Sequence, residues 1–222
     1  MITSRRPVNN PSYRQRTIYH GMLVGGVAFI AGALLVIAHE GTKDIIAQRY
    51  AEDMLAMLNE VIPSSHYDND LLNDQLTIEG KNVFQARIGN KVTAVAYQVS
   101  EPGYSGVITL IMGMNNKGEI LGVRVVSHSE TPGLGDKMET ARSPWIHRFA
   151  GQKLTDKNQT QWAVKKDGGT FDQFTGATIT PRAIVKAVKN GLHFFRQYKI
   201  QLLEFEAAPT QTQEQAQGAE TS

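Results

Sequence analysis

The first strong feature of the chain is an uninterrupted apolar segment close to its N-terminus. Residues 18–38 contain no Asp, Glu, Lys or Arg and consist mostly of Gly, Ala, Val, Leu and Ile. As a helix rising about 1.5 Å per residue, the segment would be roughly 30 Å long, which matches the hydrocarbon core of a bilayer. The pattern predicts one transmembrane helix over residues 18–38.

Two alternatives concern this segment. Residues 36–38 resemble a signal-peptide cleavage site, although cleaved signals have shorter apolar regions of about 7–15 residues. Retention is therefore the better interpretation. Small residues spaced four apart, at Gly21 and Gly25 and again at Ala28 and Gly32, would let a second helix approach closely in the bilayer. Gly and Ala are also common in membrane spans generally, so a partner helix is one of two open interpretations.

Two further segments show helical periodicity. Residues 42–62 are predicted to form an amphipathic helix that ends before Pro63, and residues 181–203 a second one. The apolar positions that recur at helical spacing are Ile45, Ile46, Met54, Leu55, Leu58 and Ile62 in the first helix, and Ile184, Val185, Val188, Leu192, Phe195 and Leu202 in the second.

Between the helices the pattern changes to short segments rich in β-branched residues, beginning near Leu76. Turn-forming residues such as Gly89-Asn90 and Pro102-Gly103 separate these segments, and an antiparallel meander is predicted over residues 92–126. The predicted strands are 83–88, 92–99, 107–114 and 120–126. Trp145 and Trp162 are expected in the core. The predicted fold class is α+β, a twisted, antiparallel-rich sheet flanked by helices and preceded by one transmembrane helix.

Charge places these segments relative to a membrane. Four arginines (Arg5, Arg6, Arg14 and Arg16) precede the apolar segment, whereas Glu40, Lys43 and Asp44 follow it. The excess of positive charge predicts a cytoplasmic N-terminus. The expected organisation is a basic cytoplasmic segment (1–17), a transmembrane helix (18–38), a folded domain outside the cytoplasm (39–206) and a disordered, low-complexity tail (207–222). In a Gram-negative bacterium this domain would be periplasmic, anchored in the inner membrane by a single pass.

Composition excludes several classes of chemistry. The chain has no Cys, which removes thiolate nucleophiles, Cys-ligated iron–sulfur clusters and Cys-based zinc sites. Its six histidines show no metal-binding spacing, and no nucleophile–base arrangement can be argued from the sequence, so we predict neither a metal site nor a catalytic residue. The net charge of +2 says little about partners, but neither end of the sequence forms a basic stripe with interleaved aromatic residues, which argues against a nucleic-acid partner.

The most informative segment for chemistry is Asp172-Gln173-Phe174-Thr175-Gly176-Ala177-Thr178-Ile179-Thr180-Pro181. Gly176 and Ala177 keep the backbone bare for a close approach. Pro181 suits the first position of a helix, which would make Thr180 its N-cap. A phosphate near Thr180 would be stabilised by the unpaired N–H groups of that helix. From the residues alone, a plain helix cap is the simpler interpretation.

The spacing Asp-x-x-Thr-Gly-Ala-Thr-x-Thr resembles the flavinylation motif of an FMN-binding domain. That domain is shared by the G subunit of Rnf electron-transport complexes and the C subunit of Na⁺-translocating NADH:quinone reductase. The resemblance extends, in the family's order, to the N-terminal span, the turn Gly103-Tyr104-Ser105-Gly106 and the loop 129–135. It implies FMN bound covalently to Thr180 by a phosphoester bond that a dedicated flavin transferase makes, which would make the chain a phosphoprotein.

The resemblance also implies the surroundings of the cofactor. Thr175, Gly176, Ala177 and Thr178 would accompany Thr180. The second loop is interpreted from its own residues: Gly133 and Gly135 would let the backbone lie close to the flavin ring, with Leu134 in apolar contact. Glu130 and Thr131 would hydrogen-bond the polar edge of the ring. The alternative for this loop is a tight structural connection that closes the sheet. His128 adjoins the loop, and a structural role is the more expected one for it.

The implied function is that of a membrane-anchored flavoprotein subunit that relays electrons within an ion-translocating oxidoreductase complex, as a carrier that is not catalytic alone. Its partners would be the other membrane subunits and the flavin transferase. The compact length favours the Rnf type. The alternatives are the C-type subunit of the quinone reductase and a membrane-tethered FMN-binding module for regulation or assembly.

Overall fold

The structure is a computed structural model that describes residues 13–204, with side chains from residue 18 onward. It comprises two compact units, Met1–Glu52 and Asp53–Ser222, which are described separately below. The predicted disordered tail (207–222), Arg5, Arg6 and the side chains of Arg14 and Arg16 lie outside the described part.

The described part of the N-terminal unit is helical and belongs to α1, which runs from Tyr13 to Val61, so that residues 53–61 of this helix are counted in the second unit. Apolar side chains over residues 18–38 are exposed, and α1 is the helix within residues 13–204 that is long and apolar enough to cross a membrane. The sequence predicted two helices with a break near residue 40, and this break is absent. No proline interrupts residues 39–41, and the Thr42 hydroxyl donates to the Ala38 carbonyl at 2.9 Å, within the helix.

The second unit is built on a five-stranded sheet in which every strand pairs antiparallel with its neighbour in chain order. This arrangement confirms the predicted meander and the α+β fold class. The strands are β1 (Gln75–Ile78), β2 (Lys81–Ile88), β3 (Lys91–Pro102), β4 (Val107–Asn115) and β5 (Ile120–Ser127).

One face of the sheet is covered by the C-terminal helix α2, Ile179–Leu203, and by the segment between β5 and α2. The helix approaches closely at Gly191, where a Cβ atom would overlap the Met112 sulfur. The Tyr97 hydroxyl donates to the Gly191 carbonyl at 2.8 Å. Trp145 and Trp162 are buried on this side, as predicted.

The end of α1 covers the opposite face. Met54, Leu58 and Ile62 of the predicted apolar face are buried there, whereas Ile45 and Ile46 are exposed. The contact depends on Gly113 of β4 and Gly122 of β5, which are paired across the two strands. A Cβ atom at either position would overlap the α1 backbone around Val61. These paired glycines let a helix backbone lie directly on the sheet.

Candidate functional site

Three segments that are distant in sequence enclose a cavity of about 360 Å³, a size typical of ligand sites. They are the 103–106 turn between β3 and β4, the 129–135 loop after β5 and residues 174–180 at the start of α2. The lining residues are Tyr104, Glu130, Thr131, Leu134, Gly135, Gly176, Ala177, Thr178, Ile179 and Thr180.

Thr180 is fully buried in the first turn of α2. The predicted N-cap was wrong by two residues, because the helix begins at Ile179, Thr178 occupies the N-cap position without a side-chain cap, and Pro181 is third. A proline is tolerated there because the first-turn N–H groups have no partner within the helix. The Thr180 hydroxyl therefore does not cap the helix and instead donates to Glu130 Oε2.

Glu130 is a buried carboxylate whose two oxygens are both hydrogen-bonded. Its Oε2 accepts from Thr180, while Oε1 accepts from the backbone N–H groups of Tyr104 at 2.8 Å and Ser105 at 2.9 Å. A Cβ atom at Gly103 would lie 2.6 Å from Oε1, so the turn reaches the carboxylate only with glycine at this position. These donors offset the cost of burying a charge.

His128 holds the backbone at Glu130. The Glu130 N–H donates to His128 Nδ1 at 3.1 Å, so the imidazole proton lies on Nε2, which is 2.7 Å from Glu139 Oε1. His128 does not line the cavity. It acts on the site through the position of Glu130, in line with the structural role expected for it.

Residues 131–134 form a tight turn that explains Gly133. The Leu134 N–H donates to the Thr131 carbonyl at 3.2 Å, Pro132 is second in the turn, and Gly133 is third with φ +79°. A positive φ at this position favours glycine. Gly133 therefore shapes the turn and does not line the cavity.

Gly135, the next residue after this turn, brings the loop onto the hydroxyl. A Cβ atom here would lie 2.7 Å from Glu130 Cβ and 3.1 Å from Thr180 Oγ1. The absent side chain therefore leaves room for the contact between these two residues.

A second tight turn, residues 174–177, carries the centre of the motif. The Ala177 N–H donates to the Phe174 carbonyl at 3.2 Å, and Gly176 has φ +84°. The Phe174 ring packs edge-on against the Trp145 ring, with 4.9 Å between the ring centroids. This contact anchors the turn to the core. Thr175 is exposed and does not line the cavity.

Large apolar side chains that are exposed to solvent surround the cavity. Tyr104 is 72% exposed, Leu134 43% and Ile179 44%. Tyr104 and Ile179 were not among the predicted contacts, although Tyr104 belongs to the turn noted in the sequence. The sequence signal for Ile179 was a large apolar side chain between the two threonines of the motif. In the structure this side chain is 44% exposed and does not belong to the core.

Eight of the ten predicted contact residues line the cavity, and Thr175 and Gly133 do not. The lining fits a phosphate ester of a flat ring. It offers a hydroxyl, the unpaired N–H groups of a 25-residue helix and an apolar rim.

Comparison with known proteins shows which proteins the chain resembles. Residues 103–193 match the FMN-binding domain family. The chain is 42% identical to the G subunit of the ion-translocating oxidoreductase complex of Cereibacter sphaeroides, covering 90% of this chain and 95% of that protein. It is 44% identical to the corresponding protein of Stutzerimonas stutzeri, covering 85% of each. The solved structure of Shewanella oneidensis NqrC is 22% identical, with a TM-score of 0.45, and covers 64% of this chain and 73% of that chain.

Proposed function

The chain belongs to the family of G subunits of ion-translocating oxidoreductase complexes, and from this premise we propose that it carries FMN as a phosphoester on Thr180. It is a membrane-anchored component of an oxidoreductase complex with an FMN-binding domain. The observation that carries the proposal is the position of the Thr180 hydroxyl, inside a cavity and in the first turn of a long helix.

Each part of the cavity has a role toward the cofactor. Thr180 Oγ1 would provide the ester oxygen, and the N–H groups at the start of α2 would hold the phosphate, favoured by the helix dipole. Tyr104, Leu134 and Ile179 provide the apolar surface for the ring. Bound FMN supplies the electron-transfer chemistry, while the protein positions it and excludes water.

The same proposal places the domain outside the cytoplasm, periplasmic in a Gram-negative cell. The four arginines before the span support this orientation. A covalent bond is useful there because a dissociable cofactor would be lost. The partners are a flavin transferase, which makes the bond, and the other membrane subunits, with which the chain relays electrons. The relatives of the G type support this assignment over a C-type quinone reductase subunit or a regulatory module.

Intact mass spectrometry of the full-length protein tests the attachment. Protein from a host that contains the flavin transferase should exceed its sequence mass by one esterified FMN and should fluoresce as flavin after denaturation. Thr180→Ala should lose both signals completely because no other hydroxyl occupies its place in α2.

Thr175→Ala is the matched control, since this exposed threonine lies in the same motif but outside the cavity. It should keep the flavin mass. Retention of the label by Thr180→Ala, or a modified peptide that maps to Thr178, would refute the proposed site.

A further inference from the structure

We infer that Glu130 is the proton acceptor for attachment of the flavin, so that the chain supplies a catalytic carboxylate for its own modification. This inference rests on the proposed phosphoester at Thr180. A neutral threonine hydroxyl is a weak nucleophile, and hydroxyl nucleophiles are activated by an adjacent base. In this structure the adjacent base is the carboxylate to which Thr180 already donates.

The geometry assigns this role to one oxygen. Oε1 of Glu130 is held by the N–H groups of Tyr104 and Ser105, which fixes the direction of the carboxylate. Oε2 has Thr180 Oγ1 as its partner. A general base must lie within hydrogen-bond reach of the proton that it takes, and Oε2 meets that condition before any substrate arrives.

No cation neutralises this carboxylate within the described part of the chain. The ion pairs of residues 18–204 include none with Glu130. Its three hydrogen-bond donors are two backbone N–H groups and the Thr180 hydroxyl itself. An arginine or lysine partner would compete with the proton, whereas this arrangement leaves Oε2 available to take it.

The reaction balances with a flavin dinucleotide as the donor, presented by the transferase. A bond forms between Thr180 Oγ1 and the phosphorus next to the flavin, and the bond from that phosphorus to the bridging oxygen breaks. The nucleoside monophosphate leaves, and the hydroxyl proton moves to Glu130 Oε2. The transferred proton leaves Glu130 neutral beside the new phosphate, which avoids two adjacent anions.

Access to Thr180 involves the 131–135 segment. Thr180 is fully buried, and Gly135 lies directly over the Glu130–Thr180 contact. Residues 131–134 are exposed, and none of them belongs to either hydrophobic core cluster. Glu130 is meanwhile held by the 103–106 turn and by His128, which keeps the base in place while the donor enters.

The test measures the rate of flavin attachment to full-length apoprotein in detergent, with saturating flavin transferase and flavin adenine dinucleotide, followed by intact mass. Glu130→Gln should react about 100-fold more slowly or worse, which is the usual contribution of a general base. Glu130→Asp keeps a carboxylate and should react faster than Glu130→Gln. The control Glu119→Gln, which changes a carboxylate paired with Asn115, should match the wild type.

Folding of each apoprotein is checked by the fluorescence of the two buried tryptophans. A folded Glu130→Gln that reacts at the wild-type rate overturns the inference, as does a folded Glu130→Asp that is no faster than Glu130→Gln. If Glu130→Gln does not fold, the test uses Glu130→Ala with added formate, a small carboxylate that can take the place of the missing side chain. The rate of flavin attachment should then rise with formate concentration. A rate that does not change with formate overturns the inference. Failure of the proposed function looks different: wild type takes up no flavin, or Thr180→Ala does.

Discussion

Buried polar side chains in the domain have specific partners, as the cost of burying them requires. Gln85 donates to the carbonyls of Leu202 and Glu204, both at 3.0 Å, and so satisfies the C-terminal end of α2. Glu130 and Thr180 pair with each other although they are 50 positions apart. The first interaction explains how α2 ends, whereas the second places a hydrogen-bonded carboxyl and hydroxyl pair at the wall of the cavity.

Tyr97 gives a prediction about alkaline pH. Burial raises the pKa of its phenol well above the usual value of about 10. Above pH 10 the unfolded chain loses this proton while the folded protein keeps it, so stability is present below about pH 10 and falls as the pH rises. The contribution of Tyr97 to the free energy of unfolding falls by up to about 1.4 kcal/mol per pH unit, until the pH reaches the pKa of Tyr97 in the folded state.

Comparison with Tyr97→Phe isolates this effect from other titrating groups. At pH 7 the variant should be less stable by about 1 kcal/mol, because it loses the hydrogen bond to Gly191. Above pH 10 the difference should shrink and reverse. Urea unfolding followed by tryptophan fluorescence measures the stability difference at pH 7 and above pH 10. If the free energies of unfolding of the two proteins changed in parallel with pH, the prediction would be wrong.

At the scale of elements, α2 and the strands β2 to β5 were predictable, because a helical period and β-branched segments separated by turn residues are both visible in one sequence. Strand β1, Gln75–Ile78, was not among the predicted strands. Predicted helix 181–203 was observed over Ile179–Leu203. The break in α1 was predicted wrongly because the pattern changes from uniformly apolar to amphipathic without any helix-ending residue. The role of the Gly113–Gly122 pair was not predictable, since it depends on β4–β5 register and on the helix that lies above it.

Gly113→Ala tests that contact. The added methyl group would overlap the Val61 carbonyl, so the helix or strand must shift, at a cost of about 1–3 kcal/mol. The urea midpoint of the full-length protein, followed by tryptophan fluorescence, should fall accordingly. Gly41→Ala is the control, because its Cβ atom meets nothing within 4 Å, and it should not lower that midpoint, since Ala favours a helix more than Gly does.

At the scale of the whole molecule, the orientation across the membrane is testable because the chain has no native cysteine. We predict that Lys157→Cys, in an exposed loop of the domain, reacts with a membrane-impermeant maleimide in cells whose outer membrane alone is permeabilised. Ser4→Cys, in the basic N-terminal segment, should react only after the inner membrane is opened.

The reverse labelling pattern would show that the domain faces the cytoplasm. Absence of the Ser4→Cys residue from the mature protein would instead support a cleaved signal peptide. Neither outcome bears on the attachment of flavin to Thr180. Maleimide labelling measures the orientation of the domain, whereas mass spectrometry measures flavin attachment.

The apolar span, the order of strands β2 to β5 and α2, and the motif around Thr180 could be recognised in the sequence, because each depends on residues close together along the chain. The contact between the Thr180 hydroxyl and Glu130, the place of Tyr104 and Ile179 at the cavity rim and the role of Gly133 in a turn became visible in the folded chain. These facts depend on three loops meeting at one place. The packing of α2 and the 128–178 segment on the sheet sets that meeting point, and local periodicity does not encode it.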